Sequence, residues 1–105
     1  MSVKIAFLEP VTFGNGENIS IQGSEFHYCS PRTTGADSYR SVEVGNTTMK
    51  LPSRWNVYKD DDGFGSLGLT VYACVPAVLV HELIKSNGGI VSGECPPLQL
   101  DTYNK

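Results

Sequence analysis

The sequence predicts an α+β fold, an antiparallel, strand-rich sheet packed by one helix in the C-terminal half, at about Pro76 to Asn87. Residues 69–75 carry the strand part of this prediction. Aliphatic residues there alternate with Thr, Tyr and Cys, the period of two that lets a strand bury one face. The chain before them is divided into short runs by glycine, proline and asparagine. An alternating βαβ arrangement needs several helices, so a single late helix favours the α+β class.

The predicted helix has a recognisable start, face and end. Pro76 suits the first helical position, because its φ is already near the helical value and the first turn needs no N–H there. Gly88 and Gly89 can adopt the positive φ with which helices commonly end. The stripe expected to cover the sheet consists of Val80, Leu83, Ile84 and Asn87, with Leu79 at its margin.

Short strands and turns account for the rest of the chain. Residues 14–16 are typical of a hairpin loop, and residues 45–46 predict a turn. Residues 31–38 have no apolar period and predict an exposed, mobile loop. Residues 59–63 predict the polar tip of a hairpin with a long loop. The predicted strands are residues 3–8, 11–13, 18–21, 25–29, 39–44, 54–59, 69–75 and 90–91.

Length and composition indicate one domain. At 105 residues, with 40% hydrophobic and 18% charged residues, the chain can bury a single core. We therefore predict one globular domain over residues 1–105, with residues 94–105 as an extended tail. The net charge is −3, and the eight Lys and Arg residues are scattered. Since a surface for phosphate backbones needs clustered Lys and Arg, direct nucleic-acid binding is not expected.

The cysteines and the apolar runs predict a cytoplasmic protein. Cys29, Cys74 and Cys95 are odd in number, widely spaced and form no C-x-x-C, which favours a reducing compartment over a disulfide framework or zinc site. Cys74 is expected in the core. No run approaches the roughly 20 apolar residues of a membrane helix, and the N-terminal run is too short for a signal peptide. We predict no membrane association and a cytoplasmic location, in the host cell if a phage encodes the chain.

Two motif matches fail at specific residues. Residues 63–68 match G-x-G-x-x-G, but they open a strand and not the helix that a dinucleotide site needs. His81 and Glu82 match the first half of H-E-x-x-H, but Lys85 stands where the second histidine ligand is required. A Glu82–Lys85 pair on a solvated helix face is the plainer interpretation. No cofactor and no metal ion is therefore predicted.

The acidic run 60–62 has two interpretations. As a calcium loop it fails, because Tyr58 and Leu69 stand at positions that need oxygen ligands. As the tip of a hairpin, with Glu43 or Glu25 nearby, it predicts a negative patch that docks on a basic surface of a partner.

His27 and Cys29 are the one pair that suggests nucleophilic chemistry. The predicted strand 25–29 places them on one face and Phe26 and Tyr28 on the other. A thiolate–imidazolium pair would make the protein a small Cys/His enzyme. However, neighbours at i and i+2 are roughly 7 Å apart at the backbone, and no orienting group can be identified. A half-buried histidine and an inert cysteine are favoured, and no catalytic residue is predicted.

Aromatic side chains with polar tips are numerous for a small sheet. Such side chains are common binding anchors, and they are also common strand formers that pack in a core. We favour packing for most of them. The residues predicted to contact a partner are Asp60, Asp61, Asp62, Tyr58, Trp55, Arg32 and Tyr39.

These observations favour a non-enzymatic protein-binding module. We expect a small inhibitor or adaptor of a host protein complex, of the kind that phages and mobile elements encode, docking an acidic surface on a basic partner site. One alternative is a structural subunit of a symmetric assembly such as a virion or tail, in which edge strands and residues 94–105 pair protomers. The other alternative is the small Cys/His enzyme. A protein partner is expected, and homo-oligomers remain open.

Overall fold

The computed structural model describes residues 7–46, 49–60 and 70–100. Within these residues the chain forms a six-stranded antiparallel sheet with one α-helix in its C-terminal half, which confirms the predicted α+β class. In chain order the elements are β1 (Val11–Phe13), β2 (Asn18–Gln22), β3 (Ser41–Asn46), a 3₁₀ helix (Ser53–Tyr58), β4 (Lys59–Asp60), β5 (Thr70–Pro76), α1 (Ala77–Ser86) and β6 (Ile90–Ser92). Across the sheet the order is β4-β5-β3-β2-β1-β6.

The sheet has an apolar face and a polar face. Residues directly opposite one another in antiparallel strands lie on the same face. The buried pairs of the apolar face are Val11 with Ile19, Ile21 with Val44, and Val42 with Val75. The helix adds Val80 and Leu83 to the same core. The side chains of β1, β2 and β3 on the other face are polar: Thr12, Asn18, Ser20, Gln22 and Glu43.

The predicted hairpin and the predicted strand-to-helix junction are confirmed. β1 and β2 pair around residues 14–16, and β5 runs directly into α1. Pro76 ends the strand with ψ 140, one residue before the helix begins. The helix ends at Ser86, and Gly88 and Gly89 follow with positive φ.

The first predicted strand is wrong where it can be compared. Residues 3–6 lie outside the described residues, and neither Phe7 nor Leu8 belongs to a strand. The side-chain amide of Gln22 takes the place of a strand partner for Leu8. The Leu8 N–H donates to Gln22 Oε1 at 2.8 Å, and Gln22 Nε2 donates to the Leu8 carbonyl at 2.7 Å.

The predicted strand 54–59 is also wrong, because a 3₁₀ helix occupies most of it. The Trp55 N–H donates to the Pro52 carbonyl at 3.0 Å, which closes a tight turn directly after the proline. The turn separates two side chains that strand alternation would place on one face. Trp55 is 1% exposed and Val57 is 81% exposed. The predicted hairpin does form after this helix, since β4 pairs antiparallel with β5.

A β-bulge in β5 overturns the prediction that Cys74 lies in the core. Two steps along β3, from Val42 to Val44, correspond to three along β5, from Val75 to Tyr72. Cys74 lies in this extra step with φ 51, a backbone conformation that is uncommon outside glycine. The bulge breaks the alternation of the strand, and the Cys74 side chain is exposed.

Two further boundaries differ from the prediction. Residues 45–46 do not form a turn, because β3 continues through Asn46 and pairs there with Thr70. The segment after β6 is joined by its main chain to the start of β3. Leu98 forms a parallel bridge with Tyr39, and the Gln99 N–H donates to the Tyr39 carbonyl at 2.8 Å. Residues 101–105 of the predicted tail lie outside the described residues.

Candidate functional site

The largest cluster of exposed aromatic rings lies on the connection between β2 and β3 and on the residue that precedes β1 by a few positions. Phe7, Phe26 and Tyr28 are 65%, 62% and 47% exposed, and we call these three residues the aromatic surface. The rings of Phe7 and Phe26 stack, with centroids 6.1 Å apart and planes within 9°. Large exposed apolar groups next to one another are uncommon on monomeric proteins and often mark an interaction site.

The residues that alternate with these rings are buried and hold the segment from below. Ser24 is fully buried, and its Oγ lies 2.6 Å from Nδ1 of His27 while accepting the Phe26 N–H at 3.0 Å. The Cys29 thiol lies 3.3 Å from the carbonyl oxygens of Ser24 and Pro31. Residues 25–29 are therefore not a strand, as predicted, but a series of turns closed by side-chain hydrogen bonds. The predicted separation of Phe26 and Tyr28 from His27 and Cys29 is nevertheless present.

Tyr28 is fixed on both sides of its peptide unit by the sheet. Its N–H donates to Glu43 Oε1 at 2.9 Å, and its carbonyl accepts the Cys74 N–H at 3.1 Å. The guanidinium carbon of Arg32 lies 4.9 Å from the centre of the Tyr28 ring, within the range of a cation–π contact. The positive-φ residue of the β5 bulge thus supplies a donor that positions the aromatic surface.

Residues 31–38 are largely exposed, as predicted, and Tyr39 anchors them. The Tyr39 hydroxyl donates to the Thr33 carbonyl at 2.6 Å and accepts the Ala36 N–H at 3.2 Å. The ring is 2% exposed and lies over Gly23, where a β-carbon would come within 3.0 Å of it. Gly23 therefore makes room for the side chain that holds the loop.

The geometry at His27 and Cys29 is unlike that of a thiolate–imidazolium pair. Burial lowers the pKa of His27, which favours neutral imidazole, and burial raises the pKa of the Cys29 thiol, which favours the protonated form. A nucleophilic cysteine needs both shifts in the opposite direction. In addition, Nδ1 of the ring faces Ser24 and the thiol faces main-chain carbonyls. These contacts are those of a structural network.

Thiol labelling distinguishes the three free cysteines. We expect an alkylating reagent to modify the exposed Cys74 first, and Cys29 and Cys95 only on unfolding. Burial raises the pKa of Cys95 to about 11, so at pH 8 it holds about 100-fold less thiolate than a thiol of pKa 9. Peptide mass spectrometry after timed labelling measures the order, and a Cys74→Ser variant should stay almost unlabelled. Labelling of Cys29 ahead of Cys74 would contradict this assignment.

The predicted partner-contact residues do not lie together. Trp55 and Tyr39 are in the core, which removes their rings from the surface that a partner can touch. Tyr58 is half-buried at the end of the 3₁₀ helix. Arg32 lies on the Tyr28 ring, beside the aromatic surface. Asp60 belongs to the edge strand β4, opposite Val71.

Other predicted features fall partly outside the described residues. Asp61, Asp62 and the glycine-rich run 63–68 lie outside them. Glu82 forms its ion pair with Arg54, at 2.8 Å, and not with Lys85. Across residues 7–46, 49–60 and 70–100, no three His, Cys, Asp or Glu side chains are grouped so that they could hold a metal ion. In the same ranges no helix is long and apolar enough to cross a membrane.

Phe7 and Phe26 were not predicted as site residues. Phe26 carried a signal, because alternation placed it on one face with Tyr28 and opposite the buried pair. Phe7 carried none, because an apolar run near a terminus predicts a buried strand equally well. Its contact with Phe26 depends on how the chain approaches β1.

Comparisons with models of known protein families, with curated proteins and with solved structures find no match to this chain.

Proposed function

We propose that this chain is a non-enzymatic protein-binding module and that the aromatic surface is its contact site. The observation that carries the proposal is the stacked, exposed pair of Phe7 and Phe26 beside the Tyr28–Arg32 contact. Aromatic residues and arginine are enriched where protein interfaces gain most of their binding energy.

The support beneath the surface favours binding. Ser24, His27 and Cys29 fix the backbone from the core side, and Glu43 fixes it from the sheet. Because these contacts already order the segment, a partner loses less conformational entropy on binding it. A segment without such contacts would have to be ordered by the partner.

The specific form of the proposal is a small inhibitor or adaptor of a host protein complex, as phages and mobile elements encode. The net charge of −3 and the acidic run that begins at Asp60 support long-range attraction to a basic partner. Short-range contact is assigned to the aromatic surface. The three free cysteines agree with a reducing compartment, so we propose the cytoplasm as its location.

The alternative of a structural subunit that pairs through sheet edges has less support. One edge strand, β4, has two residues, Lys59 and Asp60, and both carry charge. The other, β6, has an irregular register with β1, since Thr12 and Phe13 lie opposite Ser92 and Ile90. Short, charged or irregular edges are features that hinder edge-to-edge pairing.

Truncation of one aromatic ring tests the proposal. We expect Phe26→Ala to reduce capture of a partner from host lysate at least tenfold, the change produced by about 1.4 kcal/mol of binding free energy. Phe26 is largely exposed, so the fold should persist. Quantitative mass spectrometry of proteins retained on immobilised wild-type and variant chains measures the ratio.

The matched control is Val57→Ala. Val57 is 81% exposed and apolar, but it lies on the 3₁₀ helix and outside the aromatic surface. Its capture should equal that of the wild type. If both variants retain the same proteins in the same amounts, the aromatic surface is not the contact site.

A further inference from the structure

We infer that the aromatic surface also binds a second copy of this chain, giving a weak two-fold symmetric dimer. The inference rests on the proposed function, because it uses the same contact site and names one partner for it. In a two-fold interface each residue meets its counterpart set on the other copy, so the surface must be complementary to itself. An aromatic centre satisfies this condition, since Phe26 can pack on the Phe26 of the other copy.

The charges beside the aromatic surface are also self-complementary. Glu25 and Arg32 are both exposed, and they lie on the two sides of Phe26 and Tyr28 along the segment. Within the described ranges, neither has an ion-pair partner, and the carboxylate of Glu43 accepts the Tyr28 N–H. In a two-fold dimer, Arg32 of each copy can meet Glu25 of the other, which yields two equivalent ion pairs around the aromatic centre.

The backbone holds both charges close to that centre. The Glu25 N–H donates to Thr34 Oγ1 at 3.2 Å, which ties its end of the segment to the loop. Arg32 is restrained by its contact with the Tyr28 ring. Both charges are therefore presented without an unfolded segment having to order.

The size of the surface predicts a weak dimer. A fully exposed aromatic side chain offers about 150–250 Å², so Phe7, Phe26 and Tyr28 together contribute roughly 350 Å² per copy. The total is roughly 700 Å², below the 1,000 Å² or more of stable interfaces. We expect a dissociation constant in the range of about 10–100 μM or weaker, so that a tighter heterologous partner can displace the second copy.

A charge-swap experiment tests the inference. Sedimentation equilibrium from about 10 μM to 1 mM spans the expected dissociation constant of so small an interface. The wild type should change from monomer to dimer over this range. Arg32→Glu alone and Glu25→Arg alone should weaken the dimer at least about tenfold, because each places like charges opposite one another. The double variant Arg32→Glu/Glu25→Arg should regain dimerisation, and Lys50→Glu serves as a control with the same charge change elsewhere.

A measurement on the wild type alone accompanies the variants. Amide chemical shifts of Phe26, Tyr28 and Arg32 should change with protein concentration, while those of Val57 should not. A chain that stays monomeric at 1 mM, or a folded charge-swap variant that does not regain dimerisation, overturns the inference. In either case a Phe26-dependent capture of a host protein would leave the proposed function standing. Dimerisation without any such capture would support the second copy and overturn the host-binding proposal.

Discussion

Replacement of Gly93 by alanine is expected to lower the free energy of unfolding by about 3–5 kcal/mol, a cost at the upper end for single substitutions. Gly93 directly follows β6 with φ 88, where a side chain is strained. A β-carbon there would overlap the Pro10 carbonyl oxygen and approach Cα of Val11 to 2.6 Å. Both neighbours are backbone atoms at the start of β1, so relief requires a shift of the β1–β6 pair. The melting temperature should fall by roughly 15–30 °C.

Gly89→Ala is the matched control for Gly93→Ala. Gly89 has φ 78, close to that of Gly93, but a β-carbon there would meet nothing within 4 Å. Only the conformational cost of about 1–2 kcal/mol is therefore expected. Thermal and urea unfolding followed by circular dichroism measures both variants. Equal losses would show that backbone conformation, and not the close approach to Pro10, decides the effect.

Truncation of Trp55 to alanine should also lower the free energy of unfolding by about 3–5 kcal/mol, because it leaves a large cavity. The ring is 1% exposed and meets Tyr72 edge to face, with centroids 5.7 Å apart and an interplanar angle of 84°. Such a pair contributes beyond the buried area alone. Urea unfolding measures the loss. In the wild type, acrylamide should quench the emission of this single tryptophan weakly until the chain unfolds.

Two comparisons separate packing from partner contact at Trp55. Val57→Ala, two residues along the same 3₁₀ helix, should stay within about 0.5 kcal/mol of the wild type because its side chain is exposed. Trp55→Phe should keep most of the stability and all of the partner capture. If Trp55→Phe folds normally but loses capture, Trp55 contacts the partner directly and its burial changes on binding.

The interaction surface and the stabilising residues are thus different sets. The exposed rings are expected to affect binding with little effect on stability, and the buried rings the reverse. Trp55 and Tyr39 belong to the second group, although polar-tipped aromatics of both kinds look alike in sequence. The two groups differ in their neighbours. Tyr39 reaches Thr33 and Ala36 from the core, whereas Tyr28 carries only Arg32 on its outer side among the described residues.

Local pattern alone determined the fold class, the β1–β2 hairpin and the passage from β5 into α1. Periodicity, proline and paired glycines act within a few residues of one another, so they can be recognised in one sequence. The same local pattern separated Phe26 and Tyr28 from His27 and Cys29, although these residues form turns and not a strand. Alternation of exposure survived because each buried residue has its own hydrogen bonds to hold it inward.

Only the tertiary structure decided where Cys74, Trp55 and Phe7 lie. The exposure of Cys74 follows from the bulge, which exists only as a mismatch between β5 and β3. Trp55 is buried because a turn after Pro52 directs it toward Tyr72, against the alternation of its own segment. Phe7 becomes part of the aromatic surface through its contact with Phe26. Each outcome depends on residues far apart in the chain, and no local period records such contacts.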